Sequence, residues 1–309
     1  MPLNRNLRTS SIPLSRLIRT LALFAVTAYL PALAPAQTSN SAAQPGSPPM
    51  NGIAHIAVRV KDIATSVAFY RKLGFDQAFA NLAKDGTTVT QSFIKLNDRQ
   101  FIELYPVTTR DPQIGFLHLC FEGADLNALH DFYVSEGLTP IAVRTAGAGN
   151  LLFTMKGPQQ FADPQNIEYT QYMPGSKHTL DVGQHLGPDR VGEKMIVVAL
   201  AMQDPAAARD FYLHKLGFAP VPGSKDRLSL PGNSGEEVEI VPVSELGPRS
   251  SIVLESANLE KAAGQLQRQQ VEFNRATATS TGPEGKPHKI DMISVTDPDG
   301  NIIRLQSAH

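Results

Sequence analysis

The chain has 309 residues, 28 Lys and Arg against 29 Asp and Glu, a formal charge of −1 and 42% apolar residues. That length supports two ordinary domains' worth of buried core, and the near-neutral balance, with no Lys/Arg cluster in the body of the chain, speaks against nucleic acid or an anionic membrane surface as partner. Cys120 is the only cysteine, which excludes an internal disulfide and leaves stability to packing.

Residues 1–36 read as an export signal rather than as fold. Arg5, Arg8, Arg16 and Arg19 form a basic leader, Leu21–Leu30 is mostly apolar, and Ala34-Pro35-Ala36 offers small residues for cleavage after Ala36. The apolar run is too short to span a bilayer, which takes about 20 residues. Cleavage removes four Arg and no acid, moving the net charge from −1 to −5. The expected destination is the periplasm or the extracellular space, with no membrane association after cleavage. Residues 37–50, rich in Ser, Ala, Gln and Pro, read as a flexible linker.

Beyond the linker the chain repeats itself. Ile53–Phe75 (IAHIAVRVKDIATSVAFYRKLGF) and Ile196–Phe218 (IVVALAMQDPAAARDFYLHKLGF) share an alternating apolar strand, an Asp, a helix carrying Phe-Tyr, and Leu-Gly-Phe. Strand followed by helix occurs four times, with helices expected at Ile63–Lys72, Leu126–Glu136, Pro205–Lys215 and Leu259–Gln270. Asp62, Asp125, Asp204 and Asn258 stand where a short acceptor caps free backbone N–H groups. About three short strands follow each helix, such as Gln91–Leu96 and Gln100–Tyr105 around the turn at Asn97-Asp98. A sheet with a helix on one face leaves its other face open, so the units should pair into modules at 51–173 and 195–309, joined by a connector at 174–194. Two fused modules can complete their own cups, so a monomer or a homodimer is expected.

Alternation assigns faces within each strand. In Ile53–Val60, Ala54, Ile56, Val58 and Val60 pack on the helix while His55, Ala57 and Arg59 face away. His118 and Cys120 oppose Leu117, Leu119 and Phe121; Glu103 opposes Ile102 and Leu104; Glu168 opposes Ile167 and Tyr169. Singly, a strand His is ordinarily a hydrogen-bonded core residue and a strand Glu a wet face. Together, His55, Glu103, His118 and Glu168 place two imidazoles and two carboxylates on one concave face, a set suited to a divalent metal ion such as Ni, Zn, Fe, Mn or Co. A small-molecule substrate would complete the shell. The second module has Val197 where the first has His55 and is expected to hold no metal.

HIAVRVKDIATSVAFYRKLGF, with FADPQNIEY and TDPDGNIIRL, resembles the vicinal oxygen chelate superfamily. That group includes glyoxalase I, extradiol dioxygenases, methylmalonyl-CoA epimerase and the fosfomycin and bleomycin resistance proteins, and the resemblance covers nearly all of Asn51–Gln306. It implies an α+β, glyoxalase-like fold of four βαβββ units paired into two modules, each a curled mixed sheet with helices on its outer face. It also implies that His55, Glu103, His118 and Glu168 are the metal ligands, with Glu168 moving the proton and Glu103 as its counterpart. The corresponding positions of the second module are Val197, Glu239, Ser251 and Ile303. One departure is the turn Asp163-Pro164-Gln165-Asn166, which lacks the Gly of Asp297-Pro298-Asp299-Gly300-Asn301.

The function so implied is an exported, metal-dependent glyoxalase-like lyase or isomerase acting on vicinal oxygens. An exported enzyme meets little glutathione, which counts against a thiol-adduct substrate. The alternatives are an extradiol-type Fe(II) dioxygenase using His55, His118 and Glu168, with its active module unusually placed first, and a metal-free protein that binds a small molecule such as an antibiotic. Arg59 and Tyr105 share faces with the ligands and are candidates to orient a substrate. Cys120, on the same strand face as His118, reads as a small buried residue, with an approach to the metal as the alternative. His178 and His185 read as parts of a solvated connector loop, with closure of either over the cup as the alternative. Asp297–Asn301 reads as a hairpin turn rather than a calcium loop. The chain carries no G-x-S-x-G, P-loop or dinucleotide fingerprint.

Overall fold

The computed structural model describes residues 46–281 and 287–307; the expected leader and most of the linker lie outside them. The first half runs β1 (Met50–Val60), α1 (Ile63–Lys72), β2 (Gln77–Leu82), β3 (Val89–Lys95), β4 (Phe101–Pro106), β5 (Gly115–Gly123), α2 (Leu126–Ser135), β6 (Arg144–Thr145), β7 (Leu151–Gln159) and β8 (Pro164–Gln171). A short helix, α3 (Lys177–Leu180), lies in the connector. The second half runs β9 (Lys194–Met202), α4 (Pro205–His214), β10 (Ala219–Pro220), β11 (Arg227–Ser229), β12 (Glu237–Pro242), α5 (Val243–Leu246), β13 (Ser251–Ser256), α6 (Leu259–Arg268), β14 (Asn274–Thr281), β15 (Pro287–Thr296) and β16 (Ile302–Ser307).

Each half forms one eight-stranded mixed sheet. The strand orders are β2-β3-β4-β1-β5-β8-β7-β6 and β10-β11-β12-β9-β13-β16-β15-β14, so the second repeats the first position by position. Within each unit the first and last strands run parallel, β1 with β4 and β5 with β8, and the two units join antiparallel through β1 and β5. This is the α+β, glyoxalase-like architecture that the resemblance implies. Folded chain begins earlier than the expected linker allows: Met50 is buried and donates its backbone N–H to Pro231 O at 2.9 Å. No helix of the described residues is long and apolar enough to cross a membrane.

The four long helices start where short acceptors stand. Asp62, Asp125, Asp204 and Asn258 accept from the backbone N–H groups of Thr65, Ala128, Ala207 and Lys261, each three residues on. Helix α1 ends at Leu73-Gly74-Phe75, where Gly74 takes φ +86° and Phe75 N–H returns to Tyr70 O at 3.0 Å. A Cβ on Gly74 would sit 2.4 Å from Asp189 O in the connector, so a larger residue is barred by space as well as by backbone conformation.

The two sheets share one hydrophobic core, in which Ile56, Phe121 and Tyr169 of the first half join Leu200, Tyr212 and Leu305 of the second. Their first helices bridge it. Tyr70 on α1 reaches Asp297 Oδ2 in the far turn at 3.3 Å, and Tyr212 on α4 contacts Gln165 of the first half, the pair exchanging hydrogen bonds at 2.8 and 3.0 Å. Gln165 therefore fills the turn that lacks a glycine.

Glu236, just before β12, ties the halves together beside β1. Its carboxylate accepts from Ile53 N–H and from Gln100 Nε2 at 3.1 Å, with Lys194 Nζ at 3.5 Å. Burial outweighs these partners and pushes its carboxyl from 4.5 up to about 7. The folded protein thus retains a proton that the unfolded chain releases, so this group's share of stability falls as pH rises from about 4.5 to 7 and is level above that. Glu236→Gln should flatten this slope, recovering about 3 kcal/mol between pH 4.5 and 8 relative to wild type, whatever constant offset the amide brings. Urea melts across that range check it; an unchanged slope would refute the assignment.

Candidate metal centre

The four central strands, β4-β1-β5-β8, carry Glu103, His55, His118 and Glu168 respectively. Between them lies Ala57, fully buried and paired with Glu103 on one side and His118 on the other, whose small side chain leaves room over the sheet. His55 Nε2 stands 3.2 Å from His118 Nε2, 3.4 Å from Glu103 Oε1 and 3.4 Å from Glu168 Oε1; His118 Nε2 is 4.0 Å from Glu168 Oε1. His55, His118 and Glu168 form a group whose ligand atoms all fall within 4.8 Å of one another. Glu103 does not belong to that group, although it touches His55.

The donor set fits a divalent cation. Bonds of about 2.1 Å place neighbouring ligand atoms roughly 3.0–3.4 Å apart, the spacing around His55 Nε2. Two buried imidazole nitrogens face each other beside two carboxylates, and one shared proton cannot satisfy them all. Burial pushes His118 down to about 4, leaving its lone pair free for a ligand bond. Burial acts on His55 likewise, but the Glu103 and Glu168 carboxylates prevail and hold it above its usual value. Burial alone would raise Glu168; the His118 and His55 rings overcome it and bring the carboxyl to about 2, whereas burial prevails at Glu103 and raises it. His55 Nδ1 is buried with no hydrogen-bond partner among the described residues, so packing rather than an outer hydrogen bond orients this ring.

Glu103 is oriented by Tyr105, which shares its strand face, and by Gln91, which strand alternation did not single out. Gln91 on β3 donates to its Oε2 at 2.6 Å, and the Tyr105 hydroxyl does so at 3.1 Å. Gln91 and Tyr105 also contact each other at 2.6 Å. A cavity of about 200 Å³ opens above, lined by His55, Glu103, Glu168, Gln91, Tyr105 and His178 among others. Arg144, Ala146, Gly147, Ala148, Asn150 and Leu152 supply its far wall from the β6–β7 hairpin.

Of the other candidates, Tyr105 stands at the site and Arg59 does not: Arg59 pairs with Asp111 at 3.9 Å and lines a separate cleft. Cys120 is fully buried, as a small core residue should be. His185 remains half-exposed and pairs with Asp181 at 2.6 Å. His178 takes the alternative to the favoured solvated loop: it is 3% exposed and lines the cavity, because α3 folds the connector back over β2 and β3.

The second module corrects one correspondence. Cys120 pairs with Glu168 across β5 and β8, and Val253, the residue facing Val197, pairs with Arg304 across β13 and β16. Arg304, not Ile303, therefore occupies the place of Glu168; Ile303 matches the core residue Ile167. Matching the Asn-Ile dipeptides slipped the strand by one residue, which exchanges its faces. Arg304 Nη1 lies 3.8 Å from Glu239 Oε2 and Arg227 Nε 3.5 Å from its Oε1. Guanidinium groups thus hold the carboxylate there, and Val197 supplies no ligand.

Residues 52–169 match the model of the Glyoxalase/Bleomycin resistance protein/Dioxygenase superfamily. No curated protein sequence matches the chain. Among solved structures, the Mn(II)-bound glyoxalase from Novosphingobium aromaticivorans is similar at TM-score 0.61 and 15% identity, over 84% of this chain and 82% of that one. The 2,3-dioxygenase LapB from Pseudomonas sp. KL28 is similar at 0.57 and 13%, over 85% and 93%. An extradiol ring-cleaving dioxygenase from B. fuscum follows at 0.57 and 14%, over 85% and 73%. At such identities the likeness is one of fold.

Proposed function

We propose that the chain, whose residues 52–169 match the model of the Glyoxalase/Bleomycin resistance protein/Dioxygenase superfamily, is a metal-dependent lyase or isomerase of the glyoxalase type, acting on a small substrate with two neighbouring oxygens. One observation carries this reading: a second carboxylate, Glu103, faces the site 3.4 Å from His55 Nε2, beside the His55–His118–Glu168 group. Those three residues would hold a divalent first-row ion, which as a Lewis acid polarises oxygens beside the carbon that loses its proton. Glu103 has one oxygen held by Gln91 and Tyr105, so Oε1, beside His55, is the atom left to take and return that proton. Burial raises Glu103 towards the protonated form, as a proton carrier requires. Glu168 is pinned between two imidazoles and suits the ligand role. The roles implied by resemblance are thereby exchanged. The leader at residues 1–36 supports export of the mature chain.

The two-His, one-carboxylate group also favours a second reading, an Fe(II) ring-cleaving dioxygenase. A single pair of assays separates them. Metal-loaded protein in D₂O is expected to place solvent deuterium on the hydroxyl-bearing carbon next to the carbonyl of α-hydroxyketones, with loss of exchange on chelation. Oxygen uptake with catechols and no deuterium incorporation would select the dioxygenase and reject the proton-transfer reading.

A further inference from the structure

His178 on α3 is 3% exposed although it lies in the connector. Its ring stacks on Tyr172 with centroids 4.6 Å apart, and Phe79, Phe93 and Phe101 meet it edge-on at 5.1, 5.5 and 5.0 Å. Neither ring nitrogen has a hydrogen-bond partner among the described residues, and the ring lines the cavity shared with His55, Glu103 and Glu168. Burial pushes this imidazole down to about 3, so it is neutral and offers one N–H and one lone pair.

Its placement is held from both ends of the short helix. Ser176 Oγ accepts from Thr179 N–H, Lys177 N–H donates to Ala148 O at 2.8 Å, and Lys177 Nζ donates to Asn81 Oδ1 at 2.7 Å. At the other end the fully buried Lys95 pairs with Asp181 and Asp98, both at 2.8 Å. An imidazole fixed in an aromatic box with both nitrogens unpaired costs stability, and a phenyl ring would fill that box without the cost. Such a cost is characteristic of residues kept for function rather than for packing.

We propose that His178 contacts the bound small molecule, hydrogen-bonding a polar substituent beyond the two oxygens aimed at the metal centre, and so sets which substrates fit. The inference rests on the cavity being the substrate site, as the proposed function has it. Two probes test it on metal-loaded protein: 4-nitrocatechol, which adds a polar group to its vicinal oxygens, and catechol, which does not. His178→Phe is expected to weaken 4-nitrocatechol binding roughly tenfold or more, with catechol nearly unaffected, metal content unchanged and Tm raised. His178→Gln should restore part of the loss. In protein labelled with [15N]histidine, the His178 ring signals should shift when 4-nitrocatechol binds, which keeps the test open should the Phe variant fail to fold. Wild-type binding with His178 signals unmoved, or equal affinity in His178→Phe, would overturn this inference alone. Failure of the metal-loaded wild type to bind either probe would overturn the cavity reading together with it.

Discussion

Changing His55 and His118 to Ala together is expected to take the protein from about one bound divalent ion per chain to less than a tenth of one, by metal analysis after dialysis. Both rings bring Nε2 to the same point, so a single loss leaves one nitrogen and one carboxylate, and the double loss leaves only the Glu168 carboxylate. Stability should separate in the same experiment. Metal at a thousand times its Kd stabilises the wild type by about 4 kcal/mol, and the double variant should show no such rise. With metal chelated the order should reverse or close, because the variant lacks two buried nitrogens facing each other beside carboxylates. Retention of one ion by the double variant would place the metal elsewhere and end the metal-centre proposal.

Much of this was legible before any coordinates. Period-two alternation is a local property, so it put His55, Glu103, His118 and Glu168 on one face correctly, and the cap residues Asp62, Asp125, Asp204 and Asn258 marked their helices because capping spans only three positions. What failed depended on non-local geometry. An amphipathic helix does not say which sheet it covers, so the reach of Tyr70 to Asp297 and of Tyr212 to Gln165, and the shared core these imply, were invisible. Arg304 was missed because similar dipeptides followed turns of different length, and one residue of slip hides a side chain on the other face. His178 sits in a segment without periodicity, where composition alone suggests solvent; only the anchoring of α3 by Lys95 and Lys177 turns it inward. Glu103 looked equivalent to the other three by strand position, and Gln91, two strands from His55, distinguishes it.

That distinction makes Glu103→Gln the sharpest test of chemistry. The amide keeps the shape and can still bond Gln91 and Tyr105 after reorientation, but it cannot accept a proton from carbon. Turnover on the true substrate is expected to fall by about 10²–10⁴, the ordinary contribution of a positioned general base, with metal content unchanged. Glu168→Gln should behave oppositely: it removes the anionic member of the three-residue group, so metal affinity falls first and activity falls with it. Excess metal should rescue Glu168→Gln in part and leave Glu103→Gln inert. Gln91→Leu belongs between them, since it frees the Glu103 carboxylate to rotate without removing it, and a modest loss in kcat with metal retained is expected. If instead Glu103→Gln loses metal as readily as Glu168→Gln, Glu103 is a fourth ligand, and the proton must pass through a carboxylate already engaged by both imidazoles.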